Sequence, residues 1–405
     1  MKKTFDEVVL FARTGLNPRQ NFKLGQGHNA YITIKNIKNN SLIIDENTDV
    51  VDDEAIKLIH KRSQIKKGDI LFASIGRMGD MYIIDEEPTD WDINESVFAF
   101  TLDTSIVRQK YFYYIFRVKS TLDYLASNSS GSTFKSIKMN QLKKMIFDIP
   151  SLEEQDLIVK LLDNVCNVIE MRKQEVSALD NLIKARFVEL FGDPIVNEKG
   201  WDTKPLLELG SCKNGMNFHY EDAGVEVNCL GVGDFKDYSI ISDTSILPTV
   251  SLNEMPSADY MLQDDDIVFV RSNGNKALVG RSVAVYPKDV PTTFSGFCIR
   301  YRKMDKAVNI PYLLRVLKAE SVRQKMVGRG ANIQNLNQQI LGTLIIPVPP
   351  IVLQNEFAAF IEQVDKSKLL LLTASKYLDA LKKYTSYFYA SIRNITSQKV
   401  KRMIL

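Results

Sequence analysis

Apolar positions along the 405-residue chain fall into two kinds of run. The first kind is short, alternating or continuous, and bounded by Gly, Pro, Asn or Asp. "AYITIKNI", "DILFAS", "MYIID" and "SVFAFTL" in the first half read as β-strands, as do "VNCLGVGDF", "DIVFVRS", "RSVAVY" and "GFCIRYR" in the second. The second kind is long and keeps an alternating three-four spacing. One such seam runs through Ile158, Leu162, Val165, Ile169, Arg172, Val176, Leu179, Ile183, Arg186 and Leu190. The other runs through Phe357, Phe360, Val364, Ser367, Leu371, Ala374, Leu378, Leu381, Thr385 and Phe388. This period predicts two long helices with heptad seams. Pro150 and Pro350 stand where a helix can begin but not extend backward, and Gly192-Asp193-Pro194 stops the first one. About 40 residues of helix is about 60 Å long. One shorter helix is expected in each half, near 111–125 and 311–327.

The pattern is written twice. "GSTFKSIKMNQLKKMIFDIPSLEEQ" at 131–155 aligns without a gap with "GANIQNLNQQILGTLIIPVPPIVLQ" at 330–354, an offset of 199 residues. Upstream, "YFYYIFRVK" aligns with "IPYLLRVLK", "KKGDILFAS" with "QDDDIVFVRS", and "RTGLN" with "KNGMN", in the same order and at offsets of 197 to 200. A unit of about 200 residues is too long for a solenoid. It predicts a tandem duplication of mixed α/β (α+β) globular domains, each followed by a long helix. Neither helix can bury its seam alone, so the expected arrangement is a pseudo-two-fold repeat whose helices form an antiparallel intrachain coiled coil. The expected boundaries are a first globular domain at 1–149, a first long helix at 150–193, a second globular domain at 194–348, a second long helix at 349–395 and a basic tail at 396–405.

Composition narrows the chemistry. With 45% hydrophobic and 25% charged residues the chain can bury real cores. No apolar run reaches the length of about 18 residues that spans a bilayer. Asp6 and Glu7 interrupt the N-terminal stretch before any secretory core, so a cytoplasmic location without membrane attachment is expected. The four cysteines are scattered and the three histidines isolated, which argues against disulfides, metal sites and histidine-based catalysis. No phosphate-binding glycine loop or metalloprotease motif occurs. The carboxylate groups Asp52-Asp53-Glu54 and Asp264-Asp265-Asp266 read as solvated turns. A net charge of +3 permits a nucleic-acid partner, and the local clusters decide whether there is one.

Those clusters recur in both halves. The loop after "DIVFV" carries Arg271, Asn273, Asn275, Lys276 and Arg281, and its first-half counterpart carries Ser74 and Arg77. Thr33 and Lys35, Lys135, and Gln334 in the matching second stretch complete the candidate DNA-binding set. Arg and Lys can bridge guanine edges, and Asn or Gln adenine edges, in a major groove. Basic helices carrying Arg108, Lys110, Arg117 and Lys119, echoed by Arg315, Lys318, Arg323 and Lys325, suit phosphate contacts. Arg172 and Arg186 interrupt the first apolar seam and are candidate positions for docking a partner. A nuclease acting by itself and a coiled-coil scaffold are the competing readings. Neither a carboxylate cluster for the first nor a loss of the basic loops for the second is present.

"IPSLEEQ" (149–155), "ARFVELFGDP" (185–194) and "GDILFAS" (68–74), followed by the whole unit again, resemble the specificity subunit of type I restriction-modification systems. The second copy departs at "VPPIVLQ" and "YTSYFYASI". The resemblance implies two target-recognition domains reading the two parts of a split site on double-stranded DNA, half-sites about one helical turn (roughly 34 Å) apart. It implies a helical spacer that docks two methyltransferase subunits, and a restriction subunit in systems that have one. It further implies that the chain has no active site and binds no cofactor. S-adenosylmethionine, and ATP with Mg where a restriction subunit is present, belong to the partners.

Overall fold

The computed structural model describes the chain except for residues 39, 132–133, 219–223, 236–238, 328–334 and 393–405, together with the side chains of 276 and 374–392. The expected tail at 396–405 lies outside the described residues. Two compact units are formed: residues Met1–Lys173 with Thr373–Leu405, and Gln174–Leu372. Both long helices, Leu152–Phe191 and Ile351–Ile392, therefore contribute to each unit. The expected bounds are 150–193 and 349–395, of which 393–395 lie outside the described residues.

The first unit is built on an antiparallel sheet of Val9–Thr14, Val97–Leu102, Ile70–Ala73 and Met81–Ile83, in that spatial order. A smaller sheet sets Asn29–Ile32 between Val50–Val51 and Trp91–Ile93, the latter pair parallel. The helices Gln109–Ile115 and Lys119–Ser127 cover the sheet, over a core rich in Phe5, Phe72, Phe100, Phe112 and Phe116. The second unit repeats this plan. Gly210–Asn214, Cys298–Lys303, Asp266–Val270 and Ser282–Val285 form the corresponding sheet, with Ile240–Ile241 added at its edge. Val225–Leu230 lies between Thr249–Leu252 and a parallel Thr292–Phe294. The mixed α+β tandem repeat expected from the sequence is the architecture observed.

The repeated motifs have repeated physical jobs. The Gln that closes each opening stretch, Gln155 and Gln354, is fully buried. Gln155 Oε1 accepts from Arg108 N at 2.8 Å, and its Nε2 donates to Ile106 O at 2.8 Å and Pro150 O at 3.0 Å. Gln354 makes the same set with Asn309 N at 2.9 Å, Ala307 O at 2.8 Å and Pro349 O at 2.8 Å. Each amide thus ties the first turn of a long helix to the backbone leading into a domain helix. Tyr111 and Tyr312 add a matching hydroxyl bond to Asp148 O and Pro347 O. In "RTGLN" and "KNGMN" the glycine lies where two backbones cross. A Cβ on Gly15 would fall 1.6 Å from Ile93 O, and one on Gly215 2.0 Å from Ser295 O.

One expectation is overturned. Asp266 is not a solvated turn residue but fully buried, with Arg302 Nε and Nη2 donating to its two oxygens at 2.8 and 2.7 Å. Asp69, its counterpart in "KKGD", is buried against Arg13 at 2.7 Å. Each carboxylate also accepts from the amide three residues back, Lys66 N or Gln263 N, so it shapes the turn that opens the strand. The cation that satisfies it lies on a different strand in each unit, which hides the pairing from sequence.

Within the second unit the two long helices run antiparallel: Phe187 and Phe191 meet Phe357, while Asp180 meets Lys368. All ten expected seam positions of the first helix are buried or half-buried. In the second helix Ser367 is exposed, and the neighbouring Lys368 turns inward instead, its Nζ 2.7 Å from Asp180 Oδ1. Phe187 and Phe191, absent from the expected seam, are buried against Tyr312. A heptad gives way there to a helix face that packs on the domain core.

Replacing Gln354 with Leu would keep the volume but strand one amide and two carbonyls. Urea unfolding should show the second unit destabilised by about 3 kcal/mol, the scale of lost buried hydrogen bonds. An unchanged midpoint would remove Gln354 from this role.

Candidate nucleic-acid interface

In each unit the loop after the central strand is joined to the early part of the repeated stretch, 131–155 or 330–354. In the first unit Ile137 N donates to Ser74 O at 2.9 Å, Gly76 N donates to Lys135 O at 3.0 Å, and Ile75 bridges Ser136. In the second, Leu336 N donates to Arg271 O at 2.8 Å and Ser272 bridges Asn335. Segments distant in sequence thus meet: the 74–76 loop with the 135–137 segment in one unit, and the 271–272 loop with the 335–336 segment in the other. Gln334 lies outside the described residues, as does the side chain of Lys276.

Individual side chains take differing places. Arg271 is half-buried, its Nη1 donating to Gly296 O at 3.2 Å. Asn273 Oδ1 accepts from Asn275 N at 2.8 Å, and Asn275 Oδ1 from Ala277 N at 3.0 Å. These are consecutive side chain-to-backbone turns, so both acceptors give the loop its shape. Arg77 is about half exposed, its Nε 3.4 Å from Asp80 and its Nη2 donating to Ile37 O at 3.2 Å. Lys135 and Lys35 are exposed. Thr33 Oγ1 is bonded to Asn36 Oδ1 at 3.1 Å, which makes Thr33 a turn former. Ser74 must be corrected as a candidate: it is buried, and its hydroxyl donates to Ser96 O at 2.7 Å. A hydroxyl spent inside the loop base cannot reach a nucleotide. Arg281 lies apart from the loop tip, in a cationic cleft.

The docking candidates also differ. Arg186 pairs with Glu189 on its own helix at 2.9 Å, and Arg172 is half-buried. The basic helix of the first unit spends its cations on the long helix: Arg108 pairs with Asp156 at 3.0 Å and Lys110 with Asp163 at 2.7 Å. These two serve the domain-to-helix junction rather than phosphates.

Sequence reasoning missed the aromatics. Phe134, beside Lys135, is 71% exposed, and Phe297, whose carbonyl accepts from Arg271 N at 2.8 Å, is 61% exposed. An exposed phenyl ring next to a basic loop can stack on a base or wedge into a step. The only signal was an aromatic beside Gly and Ser in a turn, which sequence alone reads as core.

Other buried polar groups among the described residues are tied into the fold. Burial pushes the Cys212 and Cys229 thiols up to about 12, far from a thiolate at neutral pH. His60 and Ser63 both bond Asp92, at 3.1 and 2.9 Å, so the carboxylate is the hub and no hydroxyl–imidazole pair forms. Among the described residues no group of three or more His, Cys, Asp and Glu is placed to hold a metal, and no helix is long and apolar enough to cross a membrane.

Known proteins share this plan. A family model described as "Type I restriction modification DNA specificity domain" matches the chain twice, over residues 1–181 and 198–383. The MjaIX specificity subunit of Methanocaldococcus jannaschii is 24% identical over 304 residues, which is 68% of this chain and 67% of that protein. The StySPI specificity subunit of Salmonella potsdam is 25% identical over 260 residues, 59% of this chain and 55% of that one. Among solved structures, a type I restriction-modification S subunit from M. genitalium is 17% identical with a TM-score of 0.50, covering 95% of this chain and 94% of its own. A chain from a type I system, solved in work on its complex assembly and conformational transition, is 15% identical with a TM-score of 0.58 and covers 95% and 96%.

Asn273→Ala removes the acceptor that holds the second-unit loop. Hydrogen–deuterium exchange at the Asn275 amide is expected to speed up, while Asn273→Asp keeps it slow. Equal rates in both variants would mean that another contact shapes the loop.

Proposed function

Because the chain belongs to the type I restriction-modification DNA specificity family, we propose that it reads an asymmetric, two-part DNA site, one part with each globular half, and carries methyltransferase subunits to it. The observation that carries this reading is the pairing of loops. The same backbone junction recurs in both units, but it presents Arg77, Phe134 and Lys135 in one and Arg271, Asn273 and Phe297 in the other. A shared scaffold with dissimilar side chains suits two half-sites of different sequence. Arg271 and Arg77 are the candidates for guanine, the Nδ2 groups of Asn273 and Asn275, whose oxygens shape the loop, are candidate donors to a base edge, and Lys35 and Lys135 are the phosphate contacts.

The chain is the recognition component, and the bond-making steps belong to its partners. Two methyltransferase subunits would bring S-adenosylmethionine and methylate adenine. A restriction subunit, in a system that has one, would use ATP and Mg. The long helices are the docking elements. Arg172 and Arg186, which interrupt the apolar seam, are the proposed docking positions, Arg186 doing so as a pair with Glu189. The helices, of 40 and 42 residues, are also the elements whose length would set the spacing between half-sites. The work takes place on chromosomal DNA, in the cytoplasm.

Genome-wide mapping of methyladenine, in the host and in a strain lacking this chain, tests the reading. The expected result is a split motif with two unlike halves that vanishes on deletion. Arg271→Ala should relax one base in one half only, a cost of about 1–3 kcal/mol in discrimination. A palindromic motif, or loss of preference spread equally over both halves, would contradict the assignment.

A further inference from the structure

The two units part company at one place behind the reader loop. In the second unit an open cleft of about 390 Å³ is lined by Lys184, Arg281, Arg315, Lys318 and Arg323, with Asp180 as the one carboxylate among its described lining residues. That carboxylate already accepts from Lys368 at 2.7 Å. The matched hydrogen bonds shift the motif alignment of this helix by two residues, pairing Tyr111 with Tyr312 as Gly79 pairs with Gly280, and the equivalent first-unit positions then hold Asp80, Tyr114, Arg117 and Leu122. There Arg117 lies 3.8 Å above the Tyr113 ring, and the Tyr114 hydroxyl donates to Asp163 at 2.6 Å. At these four positions the first unit thus holds a single cation, stacked on a ring, where the second unit holds four.

Gathering these cations is unfavourable without an anion. The walls desolvate Lys318, and Arg315, Lys368 and Arg281 repel its charge while Asp180 attracts it, so its ammonium is pushed down to about 8. Burial also makes the Arg315 guanidinium easier to deprotonate than usual, against the pull of Asp180 and Asp365. The Lys318 ammonium donates to the Ser239 hydroxyl at 2.9 Å, a neutral partner. The cleft is coupled to the reader loop: Arg323 Nη2 donates to Ala277 O at 3.2 Å and Val279 O at 3.3 Å, and Arg281 closes the same loop.

We propose that this cleft is a phosphate-binding site of the second unit, and that the phosphate it takes is one of the DNA backbone beside the half-site read there. Guanidinium forks and an ammonium converging on one concavity match a phosphate's charge and its several acceptor oxygens. The choice of duplex over a free phosphate rests on the adjacent loop, and so on the function proposed above.

The test uses the full chain with Lys318→Met and Arg315→Met, assayed by anisotropy on a duplex carrying the mapped site and on a scrambled duplex, and by calorimetry with inorganic phosphate. Each variant should weaken both duplexes alike and flatten the slope of log affinity against log salt by about 1, as for one lost phosphate contact. Base preference should be unchanged. Lys318→Met removes a desolvated charge, so its Tm should rise while its affinity falls. A purely structural lysine would lower Tm instead. Wild-type affinity should weaken as the pH passes about 8, a dependence the Met variant loses. A response to inorganic phosphate with duplex binding untouched would keep the site and make its ligand a free phosphate. Unaltered affinity and slope in every arm overturns the inference. Failure of the wild-type chain to prefer its mapped duplex would instead sink the proposed reading of DNA.

Discussion

The structure depends on two buried glutamines. Each long helix meets its domain at a point where backbone amides and carbonyls must leave water, and such groups are costly unless bonded. A primary amide offers a donor pair and an acceptor in one plane. Gln155 and Gln354 use this to satisfy an amide before the domain helix, a carbonyl two residues earlier and a carbonyl at the start of the long helix. The geometry fixes the direction in which the long helix leaves. In the second unit, the antiparallel contact of Phe187 and Phe191 with Phe357 is built on that exit direction.

Upon this common frame the halves have diverged in their chemistry. The buried aspartate at the strand entrance survives in both, yet its cation comes from Arg13 in one and Arg302 in the other. The loop junction survives, while its exposed residues differ. Behind it, one unit stacks an arginine on a tyrosine and the other gathers five basic side chains around a cleft. What must fold is repeated, and what faces outward is not. That division is what two readers of unlike DNA sequence need.

Much of the fold was legible in the sequence, because the repeat doubles every weak signal. The order and spacing of the matched motifs predicted two similar α+β domains, and the three-four spacing predicted the long helices to within a few residues. The seam was less legible where helix meets domain. Phe187 and Phe191 turn toward Tyr312 because the core there is larger than a helix partner alone, and Lys368 rather than Ser367 turns inward because Asp180 awaits it. The site was the least legible part. Ser74 looked like a polar loop residue but closes the loop base, and Asn273 and Asn275 fold the loop with the same acceptors that suggested base reading. Exposure of Phe134 and Phe297 depends on which turn projects, which no period in the sequence encodes.

The glutamine junction recognises main-chain atoms only on the domain side. Ile106 and Ala307 take part through their carbonyls alone, while Arg108 and Asn309 add side-chain bonds to Asp156 and Asn355 on the long helix. A lineage can therefore vary most of the exterior of one lobe while its attachment to the shaft stays, provided a handful of polar partners at the base are kept in step.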